Sequence, residues 1–331
     1  MRTLIIAEAG VNHNGDFDLA KKMISIASEA GADFIKFQSF KTEEMTTRNA
    51  QKADYQRSEQ NENQFAMLKK YELSREMHIK LINHCRDSRI GFLSTGFDIE
   101  SLNLLYELGQ RIFKIPSGEI TNLPYLRHVA SFQCPIIMST GMATLSEIKE
   151  ALSLLLENGL KKNDLSILHC TSSYPTKMAD VNLRAMQTIA REFDIRTGYS
   201  DHTLGIEVAV AAVALGGTII EKHFTLDRNL PGPDHKASLE PNELQQMITA
   251  IRNLEIALGD GVKVPTKSEL ENLEAVRKSI VATADIKRGE LLNSKNLGIK
   301  RPGVGISPML WDRVIGSFAK RDFNTDEQIE I

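Results

Sequence analysis

Short apolar runs alternate with longer segments whose apolar residues recur every three or four positions, and this beat persists through most of the chain. Residues 3–8 (TLIIAE) read as a strand. Residues 16–30 follow with Leu19, Met23, Ile26 and Ala27 on one helical face, closed by Gly31. Further strands are predicted at 33–38 (DFIKFQ), 91–95 (GFLST), 111–115 (RIFKI), 135–140 (PIIMST), 165–170 (LSILHC), 196–200 (RTGYS, the weakest in composition) and 218–224 (TIIEKHF). Helical stretches lie between them; Ser74 caps one, and Thr144 with Glu147 has capping-box spacing at the start of another. The last two helices are expected at 206–215 and 242–258, ending at Gly259. Eight strand–helix units in roughly 260 residues fit an α/β chain folded as a (β/α)8 TIM barrel. A doubly wound open sheet usually carries fewer repeats and a Gly-rich first turn. The first turn here, AEAGVNHNGD, holds neither GxGxxG nor GxxxxGK[ST]. The barrel is the expected fold.

From Gly259 the texture changes. GDGVKVPTKSELEN is polar and irregular, which suggests residues 1–260 as the barrel, 261–274 as a linker and 275–331 as a small second domain. That last segment has short strand-like pieces and one short helix at 308–315. Roughly 55 residues make a small core, so this module is expected to lean on the barrel or on a second subunit.

Bulk composition narrows the function classes. The 331 residues are 42% hydrophobic and 25% charged, with a formal net charge of −3, so there is no electrostatic footprint for nucleic acid. The longest apolar stretch, 208–220, is too short to span a bilayer, and the N-terminus lacks the apolar core of a secretory signal. Cys85, Cys134 and Cys170 are an odd number at no metal-like spacing, consistent with free thiols in a reducing compartment. The expectation is a cytoplasmic protein with no nucleic-acid or membrane partner.

In a (β/α)8 enzyme the site is built at the C-terminal ends of the strands. Read in order, the last polar residues there are Glu8, Lys36 with Gln38, Thr95, Lys114 with Ser117, Ser139, the segment Thr171, Ser172 and Tyr174, then Ser200 to His202, and His223. Every strand end presents a hydroxyl, amine, carboxylate or imidazole, which a purely structural barrel would not require. Two lysines and several hydroxyls directed into one cavity suit an anion with many acceptor oxygens, such as a phosphate. Lys36 and Lys114 lie in otherwise apolar strands, where a lysine without an anionic partner is costly. Glu8 could instead be an internal counter-ion for one of them. His202 and His223 end adjacent strands, so their imidazoles can converge on a divalent ion, with carboxylate and water completing its shell. The other reading is a pair of hydrogen-bonded structural histidines. His169 reads as a core histidine, and Asn12 and His13 as residues that shape the first loop.

These residues resemble the sialic acid (nonulosonate) synthases. The resemblance is carried by AEAGVNHNGD, KFQSFK, FKIPSGEITNLPYL, STGMAT, HCTSSYPT, GYSDHTLG and EKHFTLD…PGPDHKASLEP, and by KRPGVGISPM, which is similar to the family's antifreeze-like SAF (β-clip) module. It covers essentially the whole chain. It implies an enzyme, a carbon–carbon bond-forming transferase that condenses phosphoenolpyruvate with an N-acetylated mannosamine-type sugar, giving a nine-carbon 2-keto acid and phosphate. Lys36, Thr95, Lys114, Ser117 and Ser139 would hold phosphoenolpyruvate. His202 and His223 would ligate Mn²⁺ (Mg²⁺ or Co²⁺ as alternatives). Glu8 and Asp234 would orient sugar hydroxyls or water, and Gln38 and Tyr174 would line the sugar site. Arg301 would reach the partner's barrel in a domain-swapped homodimer. Two positions depart from the family pattern. Gly96 stands where proline is common, which would add backbone freedom beside Thr95. Ser172 stands where asparagine often contacts phosphoenolpyruvate. The motif forms lean to the N,N'-diacetyllegionaminate branch, with N-acetylneuraminate synthesis from N-acetylmannosamine as the alternative.

Two rivals come from other classes. A Schiff-base aldolase would use Lys36 or Lys114 as a covalent amine. A binding module would use the C-terminal tail to recognise a polymer, with the barrel as a relic; eight polar strand ends argue against that.

Overall fold

A computed structural model describes residues 2–51 and 63–331 of the chain. These divide into two compact units, Met1–Gly259 and Asp260–Ile331.

The first unit carries eight strands: β1 (Leu4–Gly10), β2 (Phe34–Ser39), β3 (Gly91–Gly96), β4 (Phe113–Ile115), β5 (Ile136–Ser139), β6 (Leu165–Cys170), β7 (Arg196–Asp201) and β8 (Ile219–His223). Hydrogen-bonded neighbours run β3-β2-β1-β8-β7-β6-β5-β4, every pair parallel. β3 and β4, the two ends of that series, lie side by side. This is the (β/α)8 barrel expected from the alternation.

Local chemistry sets the helices. Phe17–Glu29 starts where the Asp16 carboxylate accepts from the Asp18 and Leu19 amides, and it buries Ala20, Met23, Ile24 and Ala27. Leu145–Glu157 starts on a complete Thr144/Glu147 capping box. Between strands and helices the apolar side chains form two large clusters. A third, smaller cluster fills the barrel itself: Ile6, Leu93, Ile137, Leu168 and Ile219, with Leu4, Phe34 and Ile112 against them. It forms the floor beneath the site.

The second unit begins with a helix, Lys267–Val276, capped by a Thr266/Glu269 box and burying no residue of its own. The segment expected to be an irregular linker is therefore largely helical. β9 (Ser279–Ala282) and β10 (Leu297–Lys300) pair antiparallel, and single bridges add Val281 to Gln328, Ile286 to Phe323 and Leu291 to Phe318. Ile280, Ala282, Ile286, Leu292, Leu297, Val314, Ala319, Phe323 and Ile329 enclose a core of their own. Small as it is, this unit does not lack an interior.

Candidate active site

Side chains alternate across a strand, so the residue two positions beyond an inward-facing one also faces inward. Counting two from the floor gives Ile6 to Glu8, Phe34 to Lys36, Leu93 to Thr95, Ile112 to Lys114, Ile137 to Ser139, Leu168 to Cys170 and Ile219 to Glu221. On β7 the same step runs from Gly198 to Ser200. Gly198 has no side chain because a Cβ there would sit 2.1 Å from the Ile219 carbonyl oxygen. One layer above an apolar floor, the barrel is ringed with polar groups, and all of them are buried.

Most of this ring is one connected network. Lys36 Nζ lies 2.9 Å from Glu8 Oε2 and 3.5 Å from Glu221 Oε2, and it donates to Thr95 Oγ1 at 2.9 Å. Lys114 Nζ donates to Ser139 Oγ at 2.6 Å and lies 3.6 Å from Glu221 Oε1. Ser200 Oγ donates to Glu221 Oε1 at 3.0 Å, and Gln38 donates to Glu8 Oε1 at 3.4 Å. Glu8 therefore stands at counter-ion distance from Lys36, and the two lysines are not without anionic partners as the strand composition suggested. Glu221 is the residue that sequence reasoning missed. Reading β8 stopped at its terminal His223, whereas the alternation Ile219, Glu221, His223 places the carboxylate inward.

Burial and pairing divide these groups. Burial pushes the Glu8 carboxyl up to about 7, against the pull of Lys36 and with the repulsion of Glu221 adding to it. Glu221 is also buried, yet the ammonium groups of Lys114 and Lys36 overcome that and hold it down at about 2. Burial works against the Lys36 ammonium, but Glu221 and Glu8 more than offset it and raise its pKa. Lys114 is lowered by burial, only partly compensated by Glu221. Two carboxylates of different basicity thus sit between two ammonium groups of different acidity.

One layer higher stand the histidines. The ring centroids of His202 and His223 are 5.5 Å apart, and the Tyr174 ring packs against both, at 4.1 Å from His202 and 5.7 Å from His223. His202 Nδ1 is 2.7 Å from the Thr171 carbonyl oxygen. A carbonyl only accepts, so Nδ1 carries the proton and Nε2 keeps its lone pair. His223 Nδ1 is buried with no hydrogen-bond partner, and Asp234 Oδ2 is 3.9 Å away. Burial holds both imidazoles neutral and lifts the Asp234 carboxyl to about 6. Two converging neutral imidazoles, one oriented by a carbonyl and the other with an orphaned nitrogen, fit a divalent ion. Among the described residues no group of three or more His, Cys, Asp or Glu is gathered to hold a metal. The protein would supply two ligands, leaving the other positions to water or substrate oxygens.

Beside Lys114 the loops after β4, β5 and β6 meet. The Gly141 amide donates to Ser117 Oγ at 2.9 Å, Ser117 Oγ is 3.2 Å from Cys170 Sγ, and a Cβ on Gly141 would fall 2.1 Å from Ser172 Oγ. Ser117, Ser172 and Ser139 are thereby brought to the same side of the barrel mouth as Lys114. The freedom expected at Gly96 is taken up: its carbonyl accepts from the Tyr125 hydroxyl at 2.6 Å, and a Cβ there would press on Leu102 at 3.0 Å. Asn12 bridges the Phe224 carbonyl and Ser238 Oγ, both at 2.9 Å, while Ser238 donates to the Asp234 carbonyl at 2.6 Å. Asn12 thus steadies the loop that carries Asp234. His169, half-buried rather than in the core, meets the Val181 carbonyl through Nε2 at 2.9 Å. Arg301 belongs to the second unit, exposed at the end of β10.

Residues 23–263 match the NeuB family and residues 277–330 match the SAF domain. The chain is 54% identical over 330 residues to an N,N'-diacetyllegionaminic acid synthase of Campylobacter jejuni, covering 99% of each. It is 47% identical over 321 residues to an enzyme of the same name from Legionella pneumophila, covering 96% of this chain and 90% of the relative. Among solved structures, the N-acetylneuraminic acid (sialic acid) synthetase of Leptospira borgpetersenii superposes with a TM-score of 0.73 at 38% identity, covering 83% of this chain and 91% of that one.

Proposed function

The chain belongs to the NeuB family, and on that premise we propose that it condenses phosphoenolpyruvate with an N-acetylated mannosamine-type aldose, releasing phosphate and a nine-carbon 2-keto sugar acid. The acceptor we assign is a 2,4-diacetamido-2,4,6-trideoxymannose. Its support is that two relatives covering nearly the whole chain are diacetyllegionaminic acid synthases. N-acetylmannosamine is the second reading, favoured by the likeness to a sialic acid synthetase. The observation that carries the proposal is the two-tier arrangement: lysines and hydroxyls in one buried ring, and paired neutral imidazoles directly above.

The lower ring would receive phosphoenolpyruvate. Lys36 and Lys114 offer ammonium charge, and Thr95, Ser139 and Ser117 offer hydroxyl donors to phosphate and carboxylate oxygens. Glu221, ionised between the lysines, favours the ammonium form of Lys36, partly offsets the burial of Lys114 and keeps both amines aimed inward, where a departing phosphate would meet them. The upper tier would receive the sugar. His202 and His223 would hold a divalent ion, Mn²⁺ in this reading, which would supply Lewis acidity to the acceptor's aldehyde. Tyr174 and Gln38 would flank the sugar. Glu8, with a pKa near 7, and Asp234, near 6, are poised to accept or hand on a proton from a sugar hydroxyl or water. The methylene of phosphoenolpyruvate would add to the aldehyde carbon. Water would then attack the oxocarbenium carbon, and collapse would expel phosphate.

An aldolase using a lysine imine fits less well. Lys36 is held as an ammonium by two carboxylates, and Lys114 is engaged by Ser139 and Glu221. The separating experiment pairs a chelator with borohydride. Activity should vanish in EDTA, return with Mn²⁺, and survive borohydride added with phosphoenolpyruvate. Full activity in metal-free protein, or borohydride inactivation, would reject this reading.

A further inference from the structure

The two imidazoles are carried by neighbouring strands, and the residues just before them, Asp201 and Lys222, are register partners on β7 and β8. Alternation turns these two side chains away from the barrel axis while His223 faces in. Both are completely buried on the outer face of the barrel, where Lys222 Nζ contacts Asp201 Oδ2 at 2.6 Å. The same ammonium donates to the Thr203 carbonyl at 2.7 Å. Asp201 Oδ1 in turn accepts from the Thr203 amide at 2.9 Å and from its hydroxyl at 2.7 Å. The residues on both sides of His202 are therefore tied to the residue immediately before His223.

A buried ion pair is a weak stabilising device, because desolvating both charges cancels most of their attraction. What this pair provides is geometry: it bridges the two strand ends whose next residues are the histidines. His202 has a second constraint, the Thr171 carbonyl on its ring. His223 has no hydrogen bond at Nδ1, only the Tyr174 ring and the Asp234 carboxylate beside it, and so depends more on where its backbone is put. Resting on the metal reading above, we infer that the Asp201–Lys222–Thr203 clamp is a positioning device that sets the spacing of the His202–His223 pair for a divalent cation.

The test uses the full chain without substrates and reads Mn²⁺ affinity by titration calorimetry and by manganese paramagnetic resonance, with thermal melts in EDTA. Wild type should bind Mn²⁺, and His223→Ala should lose it. The double variant Asp201→Asn with Lys222→Met removes both charges together and leaves none unpaired. Its metal-free melting temperature should stay close to wild type while its Mn²⁺ Kd rises roughly tenfold, the size of effect typical of groups that orient metal ligands. Leu155→Ala, a truncation in the large apolar cluster that does not include the β7 and β8 residues Tyr199 and Ile220, should lower the melting temperature without moving the Kd. If the double variant does not fold, Thr203→Val deletes only the hydroxyl bond to Asp201, and a weakened Mn²⁺ Kd is again expected. A folded clamp variant that binds Mn²⁺ within twofold of wild type overturns this inference alone. A wild type that binds no Mn²⁺ overturns the metal reading and this inference with it.

Discussion

His13 sits fully buried on the loop after β1, with Nδ1 accepting from the Gly15 amide at 3.0 Å and Nε2 without a partner. Burial, with the nearby His78 adding, depresses its pKa to about 4 from an ordinary 6.5. As pH falls through 6.5 the unfolded chain takes up a proton that the folded chain refuses. Stability is therefore lost progressively between pH 6.5 and 4 and levels off below, by an amount on the order of 3 kcal/mol for this one group. Melts across that range should fall more steeply for wild type than for His13→Gln; parallel curves would count against the assignment. At this scale much of the site was legible. Lys36 and Lys114 stand out as ammonium groups in apolar strands, and His202 and His223 as imidazoles ending neighbouring strands. Glu8 was legible as a counter-ion for one lysine, and it pairs with Lys36 from the neighbouring strand. What composition could not show was Glu221, which reaches both lysines from the far end of the barrel sequence. Glu221 is within reach of strict period-two counting from Ile219, which places it inward one step before His223.

β7 was the faintest strand in the sequence, and the structure supplies the reason. Gly198 takes an inward position where the barrel is too tight for any side chain, with Leu168 Cδ2 at 2.8 Å from a notional Cβ as well as the Ile219 carbonyl. A strand that must contain glycine there loses the β-branched signature that marks the others. Gly198→Ala would force β7 from β8 at the point where both lead to the histidines. We expect a loss on the order of 1–3 kcal/mol in thermal stability, with activity falling further than stability alone explains. An unchanged melting temperature would show that the gap can relax. Most helices between strands were legible from capping residues and apolar stripes, but Leu123–Ser131 and Arg184–Phe193 were not singled out. The helix Lys267–Val276 was missed, although Leu270, Leu273 and Val276 recur at helical spacing behind a Thr266/Glu269 box; its polar, charged composition made the stretch read as a linker.

The architecture of the whole chain, a barrel followed by a small second unit, follows from the change of texture near Gly259. The expectation that the second unit needs outside support is not forced by its interior, which closes on nine buried apolar residues. Its surface is a different matter: Met309 is 91% and Phe318 64% exposed, and Arg301 stands in a turn secured by Ser279, which donates to the Pro302 carbonyl and accepts from the Gly305 amide. We propose that this unit docks on a second copy's barrel, with Arg301 completing the sugar site in trans. Mixing Arg301→Ala with His223→Ala and allowing subunits to exchange should restore part of the activity, since one site per heterodimer is then intact. Exchanged heterodimers that stay inactive would reject the swapped arrangement. Among the described residues no helix is long and apolar enough to cross a membrane. The central claim concerns the reaction itself, and it is tested most directly by measuring phosphate release from phosphoenolpyruvate in the presence of Mn²⁺ and a panel of acceptor sugars. Release should require an acceptor, be fastest with 2,4-diacetamido-2,4,6-trideoxymannose and slower with N-acetylmannosamine, and yield a nine-carbon 2-keto acid in equal amount. No acceptor-dependent phosphate with any mannosamine-type sugar, in a folded and Mn²⁺-loaded protein, would contradict it.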